Sequence, residues 1–238
     1  MASATAQPLT TSPPAGHSAR KNGLRQLARG VMSVALPRRL FMIHGPKAGN
    51  IVSLTFDDGP HPINTPPLLD MLKSHGVRAT FFLIGKNVRE HPEIVRRIAA
   101  EGHVIGHHTY HHSKPGLMSP GQLMDEIRQT DALFSDILGR PVRLFRPPWG
   151  KLTAKKFWRL WRGGKTVVLW NVDPRDCDCG NADEVREKLK GTPLAAGDVL
   201  LMHDDQPYAT AVLPEVIADA KSRGVTFGTP ADWIGGRA

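Results

Sequence analysis

"LTFDDGPHP", Leu54–Pro62, sets two carboxylates side by side where an apolar run stops. The run reads as a buried strand. Neighbouring side chains on an extended chain point to opposite sides, so Asp57 and Asp58 cannot share one task by contact. Asp-Gly-Pro is also turn chemistry, and the stretch taken alone is a strand running into a turn. Whether the two acids do more depends on what the rest of the chain brings to that turn.

Outward from this stretch, short apolar or β-branched runs alternate with helical patterns. Strands are predicted near Ile51–Phe56, Ala79–Ile84, His103–Gly106, Val142–Phe145, Thr166–Val172, Val199–Met202 and Val225–Phe227. Amphipathic stretches separate them, at Pro66–His75, Glu93–Glu101, Gly121–Leu138, Phe157–Arg162, Ala182–Leu189 and Ala211–Ser222. "SHGV", "EGHV" and "SRGV" each put a Gly where a helix stops and a strand begins. Strands alternating with helices in this way predict a parallel α/β protein.

Polar groups collect where the strands end. Asp57 and Asp58 follow the first, "GHHTYHH" (Gly106–His112) the third and "RPPWG" (Arg146–Gly150) the fourth. "DPRDCD" (Asp173–Asp178) follows the fifth, and His203 with Asp204 closes the sixth. The carboxyl ends of parallel barrel strands share one face, where active sites are built. Solvated loops explain polar residues in general. They do not explain why five loop starts supply carboxylate, imidazole and guanidinium groups together, so an enzyme is the better reading.

The 238 residues suffice for one domain with a substantial core, and no apolar run is long enough for a transmembrane helix. The net charge of +9 belongs to the amino-terminal segment. Seven of the 31 basic residues precede Asn50, where there is no Asp or Glu, and the other 24 face 22 acidic residues. That distribution argues against a nucleic-acid-binding face. Residues 1–48 are expected to be a flexible extension before a catalytic domain over 49–238, and the cytoplasm is the expected compartment. A secretory or organelle signal, and a basic stretch over Arg20–Leu40 lying on an anionic membrane, stay open as readings of that segment.

An Asp with two His spaced four apart is a ligand set for zinc or a similar divalent ion, leaving a position for water and substrate. The spacing admits both His107/His111 and His108/His112. From about Ile51 to Trp233 the chain resembles the polysaccharide deacetylase, or NodB-homology, family of carbohydrate esterases. "TFDDGP", "HTYHH" (His108–His112), "RPPWG", "DPRDC" and "LMH" (Leu201–His203) follow that family's five motifs in order. The resemblance implies a distorted (β/α) barrel of about seven strands that removes acetyl groups from N-acetylated sugars with a bound metal, and an Asp-His-His donor set favours zinc or cobalt for that divalent ion. The resemblance makes Asp58, His108 and His112 the metal ligands and Asp57 the general base. Arg146 then orients the base, the backbone N–H of Trp149 serves the oxyanion, and His203 protonates the leaving amine. Asp176, in preference to Asp173, would support His203, and Leu201 would line the acetyl pocket.

Trp149 and Tyr208 lie in loops beside the site, where aromatic faces suit pyranose rings as well as ordinary packing. Trp158, Trp161 and Trp170 read as core. Cys177 departs from the family, which has Trp after the second Asp of that motif. The expected substrate is a glycan of the chitooligosaccharide or peptidoglycan type. O-acetyl ester cleavage, and a non-catalytic carbohydrate-binding protein on the same fold, are the alternatives.

Overall fold

The computed structural model describes residues 30–114 and 116–235. Its strands are β1 (Phe41–Met42), β2 (Ile51–Asp57), β3 (Thr80–Leu83), β4 (Val104–His107), β5 (Leu144–Phe145), β6 (Thr166–Val168), β7 (Val199–His203) and β8 (Thr226–Gly228). All pair in parallel, in the order β1-β6-β5-β4-β3-β2-β7, with β8 also on β2. Helices α1 (Thr65–Ser74), α2 (Gly85–Glu90), α3 (Pro92–Ala100), α4 (Pro120–Leu138), α5 (Ala154–Arg162), α6 (Ala182–Lys190) and α7 (Tyr208–Ser222) connect the strands. The chain after β6 returns to bridge Val172 to Leu200 of β7, which brings the curled sheet round into a distorted (β/α) barrel.

Alternation along β2 explains how one strand serves two environments. Val52, Leu54 and Phe56 join the large apolar cluster with Leu68, Leu72, Val212 and Leu213 of the covering helices. Burying each such side chain stabilises the fold by about 1.5–3 kcal/mol. Ser53, Thr55 and Asp57 take the opposite face and are also buried. Phe82, Leu144 and Val168 form a separate small cluster inside the barrel. A Cβ on Gly106 would lie 2.3 Å from the Phe82 ring, so β4 can pass that ring only as glycine.

The predicted helix stops hold: Gly76, Gly102 and Gly224 follow the caps of α1, α3 and α7 with φ of +62°, +81° and +75°. Three expectations are corrected. The strand expected to run to Val172 stops at Val168, because Arg146 Nε and Nη2 donate to the carbonyls of Val168 and Leu169 where a ladder would need them. Trp158 and Trp161 are not core: they are 52% and 37% exposed, while Lys156 and Leu160 face inward from the same helix. Finally, the sheet begins inside the segment expected to be an extension. Phe41 and Met42 pair with Val167 and Val168 and are almost fully buried, so the folded part starts before residue 48.

Candidate active site

Parallel pairing aligns the strand ends. Asp57 is the register partner of His203 on β7 and of Phe82 on β3, so Asp57 and His203 leave their strands side by side. Immediately after, Asp58 adopts φ +75°. Thr109, His112, Trp149 and Arg175 also have left-handed backbones, and all lie in the loops at this end of the barrel. Each such residue costs on the order of 1 kcal/mol or more and persists only where the surroundings dictate it. Asp58 is held by Asn87, whose Nδ2 donates to its carbonyl at 2.8 Å. Beside it, Gly59 packs so closely on the buried Asp204 that a Cβ would lie 2.2 Å from its carboxylate. That carboxylate accepts a hydrogen bond from Thr65 Oγ1 at 2.6 Å, tying the Asp58 turn to the start of α1.

The histidine run resolves into one register. His107 ends β4, packs against Phe134 and Phe145 and takes the Thr109 N–H on Nδ1, which makes it a core residue. His111 turns away to Glu126 at 3.4 Å. His108 and His112 meet Asp58 instead, their Nε2 atoms 3.4 and 3.3 Å from Asp58 Oδ1. His108 Nδ1 bonds the Arg146 carbonyl at 2.7 Å, which makes Nδ1 the donor and leaves Nε2 as a lone pair facing Asp58.

These three residues fit a divalent cation. Their ligand atoms all lie within 4.8 Å of one another. Asp58 Oδ1 is buried and takes no hydrogen bond among the described residues, an arrangement that is costly without a cation. Burial, and then the charge of Asp57, push Asp58 up to about 7. Burial, followed by His112, lowers His108, keeping it neutral as a ligand must be.

Asp57 Oδ2 also lies 3.7 Å from His108 Nε2, but the hydrogen bond to the Asp57 carboxylate comes from another residue. Arg146, fully buried, donates from Nη1 to Asp57 Oδ1 at 2.8 Å and to Thr55 Oγ1 at 2.9 Å. Its guanidinium also sits 4.1 Å over the Phe82 ring and 5.4 Å over Trp170. Burial raises the Asp57 carboxyl, and Arg146 and then His203 oppose that rise.

On the far side, Asp176 is wholly buried and accepts from the His203 backbone N–H at 2.8 Å and from Nδ1 at 2.7 Å. Burial would lower His203, but this hydrogen bond and the charges of Asp176, Asp57 and Asp58 prevail and lift it to about 10. Asp173 is engaged elsewhere, by Trp170 Nε1 and the Arg175 N–H. Trp149 is 45% exposed with its ring 4.4 Å from that of His112. Leu201 is buried in β7, and Tyr208, opening α7, packs against the large apolar cluster.

Sequence reasoning missed three supporting groups: Thr55, Asn87 and Glu126. Glu126 accepts from the Tyr110 and His111 N–H groups and so braces the histidine loop from α4. Nothing in its sequence context marks it.

The family model for polysaccharide deacetylase matches residues 44–167. The chain belongs to the polysaccharide deacetylase family. A peptidoglycan-N-acetylglucosamine deacetylase of Bacillus cereus is 34% identical over 193 residues, covering 79% of this chain and 70% of that protein. A chitooligosaccharide deacetylase of a Bradyrhizobium species is 36% identical over 157 residues, 66% of this chain and 71% of its own. The crystal structure of the Bc1960 peptidoglycan N-acetylglucosamine deacetylase superposes with a TM-score of 0.77 at 33% identity, over 82% of this chain and 92% of that one. This polysaccharide deacetylase is accordingly a hydrolase of carbon–nitrogen bonds.

Proposed function

We propose that the enzyme removes N-acetyl groups from an N-acetylglucosamine-containing glycan of the peptidoglycan or chitooligosaccharide type and releases acetate. The observation that carries the reading is the division of labour between adjacent carboxylates. Asp58 Oδ1 faces two imidazole nitrogens with no hydrogen bond of its own among the described residues, while Asp57 is clamped by a buried arginine. The names of the relatives support the amide and the sugar.

Asp58, His108 and His112 would hold the divalent ion, and one carboxylate with two imidazoles suits zinc or cobalt better than magnesium. Such an ion, when bound, polarises a carbonyl oxygen and acidifies water. Asp57 accepts the proton of the attacking water, with Arg146 fixing the carboxylate and opposing the rise that burial imposes on it. The Trp149 N–H donates to the oxygen that gains charge as the acetyl carbon becomes tetrahedral. The Gly150 and Lys151 N–H groups are committed to the Pro147 and Pro148 carbonyls. His203, charged and held by Asp176, donates its proton to the departing nitrogen. An amine leaves poorly without that proton, which favours amide over ester as the substrate. Leu201 lines the space for the acetyl methyl.

The deciding experiment is acetate release from a panel of N-acetylated and O-acetylated glycans, with and without chelator. Chelator-sensitive release from N-acetylglucosamine oligomers supports the reading. Release from O-acetylated glycans alone makes the enzyme an esterase, and chelator-resistant turnover removes the metal.

A further inference from the structure

We propose that the folded domain carries a docking face for an anionic phospholipid bilayer, built from the outer side of α5 and the chain before β1. This inference is independent of the catalytic reading. Helix α5, "AKKFWRLWR", buries Lys156 and Leu160 and turns Trp158 and Trp161 outward. The two rings stand 4.5 Å apart and are 52% and 37% exposed, an unusual exposure for large aromatics. Lys155, Arg159 and Arg162 flank them in the open and make no ion pair among the described residues. From Lys151 to Val172 the chain has six basic residues and no acid.

A second element lies beside α5, its Met32 sharing an apolar cluster with Phe157. Residues 30–35 are helical and expose Val31 at 60% and Val34 at 86%, while Met32 turns inward. Met32, Phe41, Leu152 and Phe157 line an apolar cavity of about 380 Å³ between this segment and α5. Exposed Arg38 and Arg39 follow. Aliphatic tips, paired indoles and a surround of cations are the composition of an interfacial surface: indoles and aliphatics enter the headgroup boundary, and cations meet lipid phosphates.

A glycan suits the face less well. The indole planes are inclined by 51° and offer no flat platform for successive sugar rings. Between Ala154 and Arg162 no carboxylate or amide side chain is present to read hydroxyls, and exposed valines gain nothing from them. Each cation near an anionic surface improves partitioning roughly fivefold, so the binding depends on both lipid charge and salt.

The test is co-sedimentation of the full chain with phosphatidylcholine vesicles, with and without phosphatidylglycerol, at low and high salt. Binding is expected only where phosphatidylglycerol is present, and salt weakens it. Trp158→Ala with Trp161→Ala, and separately Arg159→Glu with Arg162→Glu, should each cut partitioning about tenfold or more. Acetate release from a soluble oligosaccharide should be unchanged in both, which also shows that they fold. Three results overturn the proposal: no vesicle binding by the wild type, both variants binding as well as the wild type, or the tryptophan variant losing retention on insoluble peptidoglycan or chitin while keeping vesicle binding. The second would remove α5 from the face and assign the affinity to the chain before β1, and the third would make the face a glycan platform.

Discussion

Asp57 and Asp58 are consecutive but share no partner within hydrogen-bond reach. Asp57 Oδ1 takes the Arg146 guanidinium at 2.8 Å, and Asp58 Oδ1 lies 3.4 and 3.3 Å from the Nε2 atoms of His108 and His112. The separation begins with strand alternation and is completed by the left-handed backbone of Asp58. It lets one turn present a carboxylate to a cation and another to a proton.

Removing any of the three facing groups should remove the metal. Asp58→Ala, His108→Ala and His112→Ala are expected to retain little bound ion and almost no turnover, whereas His111→Ala, whose ring turns to Glu126, keeps both. Affinity should also fall as pH drops through about 7, where metal-free Asp58 gains its proton and the ion must displace it. Metal analysis after dialysis of the four variants checks the set. Full occupancy in His112→Ala with loss in His111→Ala would assign the opposite register.

Asp57→Asn removes a proton acceptor without removing a ligand. Metal content should stay near stoichiometric while kcat falls by at least about a hundredfold, within the range for a lost general base. The same change leaves the buried Arg146 without its counter-ion, so about 3 kcal/mol of stability should go with it. Thermal unfolding and single-turnover acetate release on one preparation separate the two effects. Near wild-type turnover would remove Asp57 from the chemistry.

The Asp176–His203 pair gives a signature in the metal-free protein. His203 titrates at about 10, above its ordinary 6.5, because Asp176 overcomes the cost of burial. The charged form therefore stabilises the fold in full below 6.5, and that contribution disappears as pH rises through about 10. NMR titration of the His203 ring should give a midpoint far above 6.5, and Asp176→Asn should bring it down and flatten the alkaline loss of stability. A wild-type midpoint between 6 and 7 would contradict the pairing.

What the sequence disclosed follows from which signals are local. Strand β2 and its acidic turn were legible because alternation and Asp-Gly-Pro chemistry are properties of a few neighbouring residues. The metal register was not, since spacing treats His107/His111 and His108/His112 alike. The family motif chose His108 and His112 where spacing could not, and the end of β4 points His107 at Phe134 and Phe145 instead. Glu126 was invisible because its contacts to the Tyr110 and His111 N–H groups arise from the packing of α4. Trp158 and Trp161 were misjudged because large aromatics usually mark a core. The helix in fact seats itself through Lys156, Phe157 and Leu160 and leaves the indoles outside. Strand β1, two residues long within a basic stretch, carries no periodicity to detect.

Truncation shows where the fold begins. Deleting residues 1–47 removes β1, and with it the burial of Phe41 and Met42 and the edge contact of Phe41 with Phe157. The loss should be about 3–6 kcal/mol, at about 1.5–3 kcal/mol per buried side chain. Deleting 1–29 spares all of these contacts. Denaturant midpoints of the two truncations, compared with the full chain, test the boundary. Equal midpoints for the full chain and the 1–47 deletion would restore the extension to residue 48.

Cys177 stands where the family has tryptophan, beside the Asp176–His203 pair and exposed to solvent. Asp176, Cys177 and His203 also offer ligand atoms within 4.8 Å of one another, so a thiolate-bound ion has to be weighed against an idle thiol. Two features favour the idle thiol. Partial desolvation, although the residue is largely exposed, and then the charges of Asp178, Asp176 and Asp173 push the Cys177 thiol up to about 11, which keeps it protonated at neutral pH. The Asp176 oxygens are also already engaged by the His203 N–H and Nδ1. Cys177→Ser and Cys179→Ser should therefore keep the metal and most of the activity, and Cys177 should react slowly with iodoacetamide. Cys177→Trp restores a large apolar group next to the pair, where it would exclude water and strengthen the Asp176–His203 hydrogen bond. Its effect should be a displaced alkaline limb in the pH–rate profile, with metal content unchanged. Loss of bound ion in either serine variant would make the thiols ligands and move the metal off Asp58.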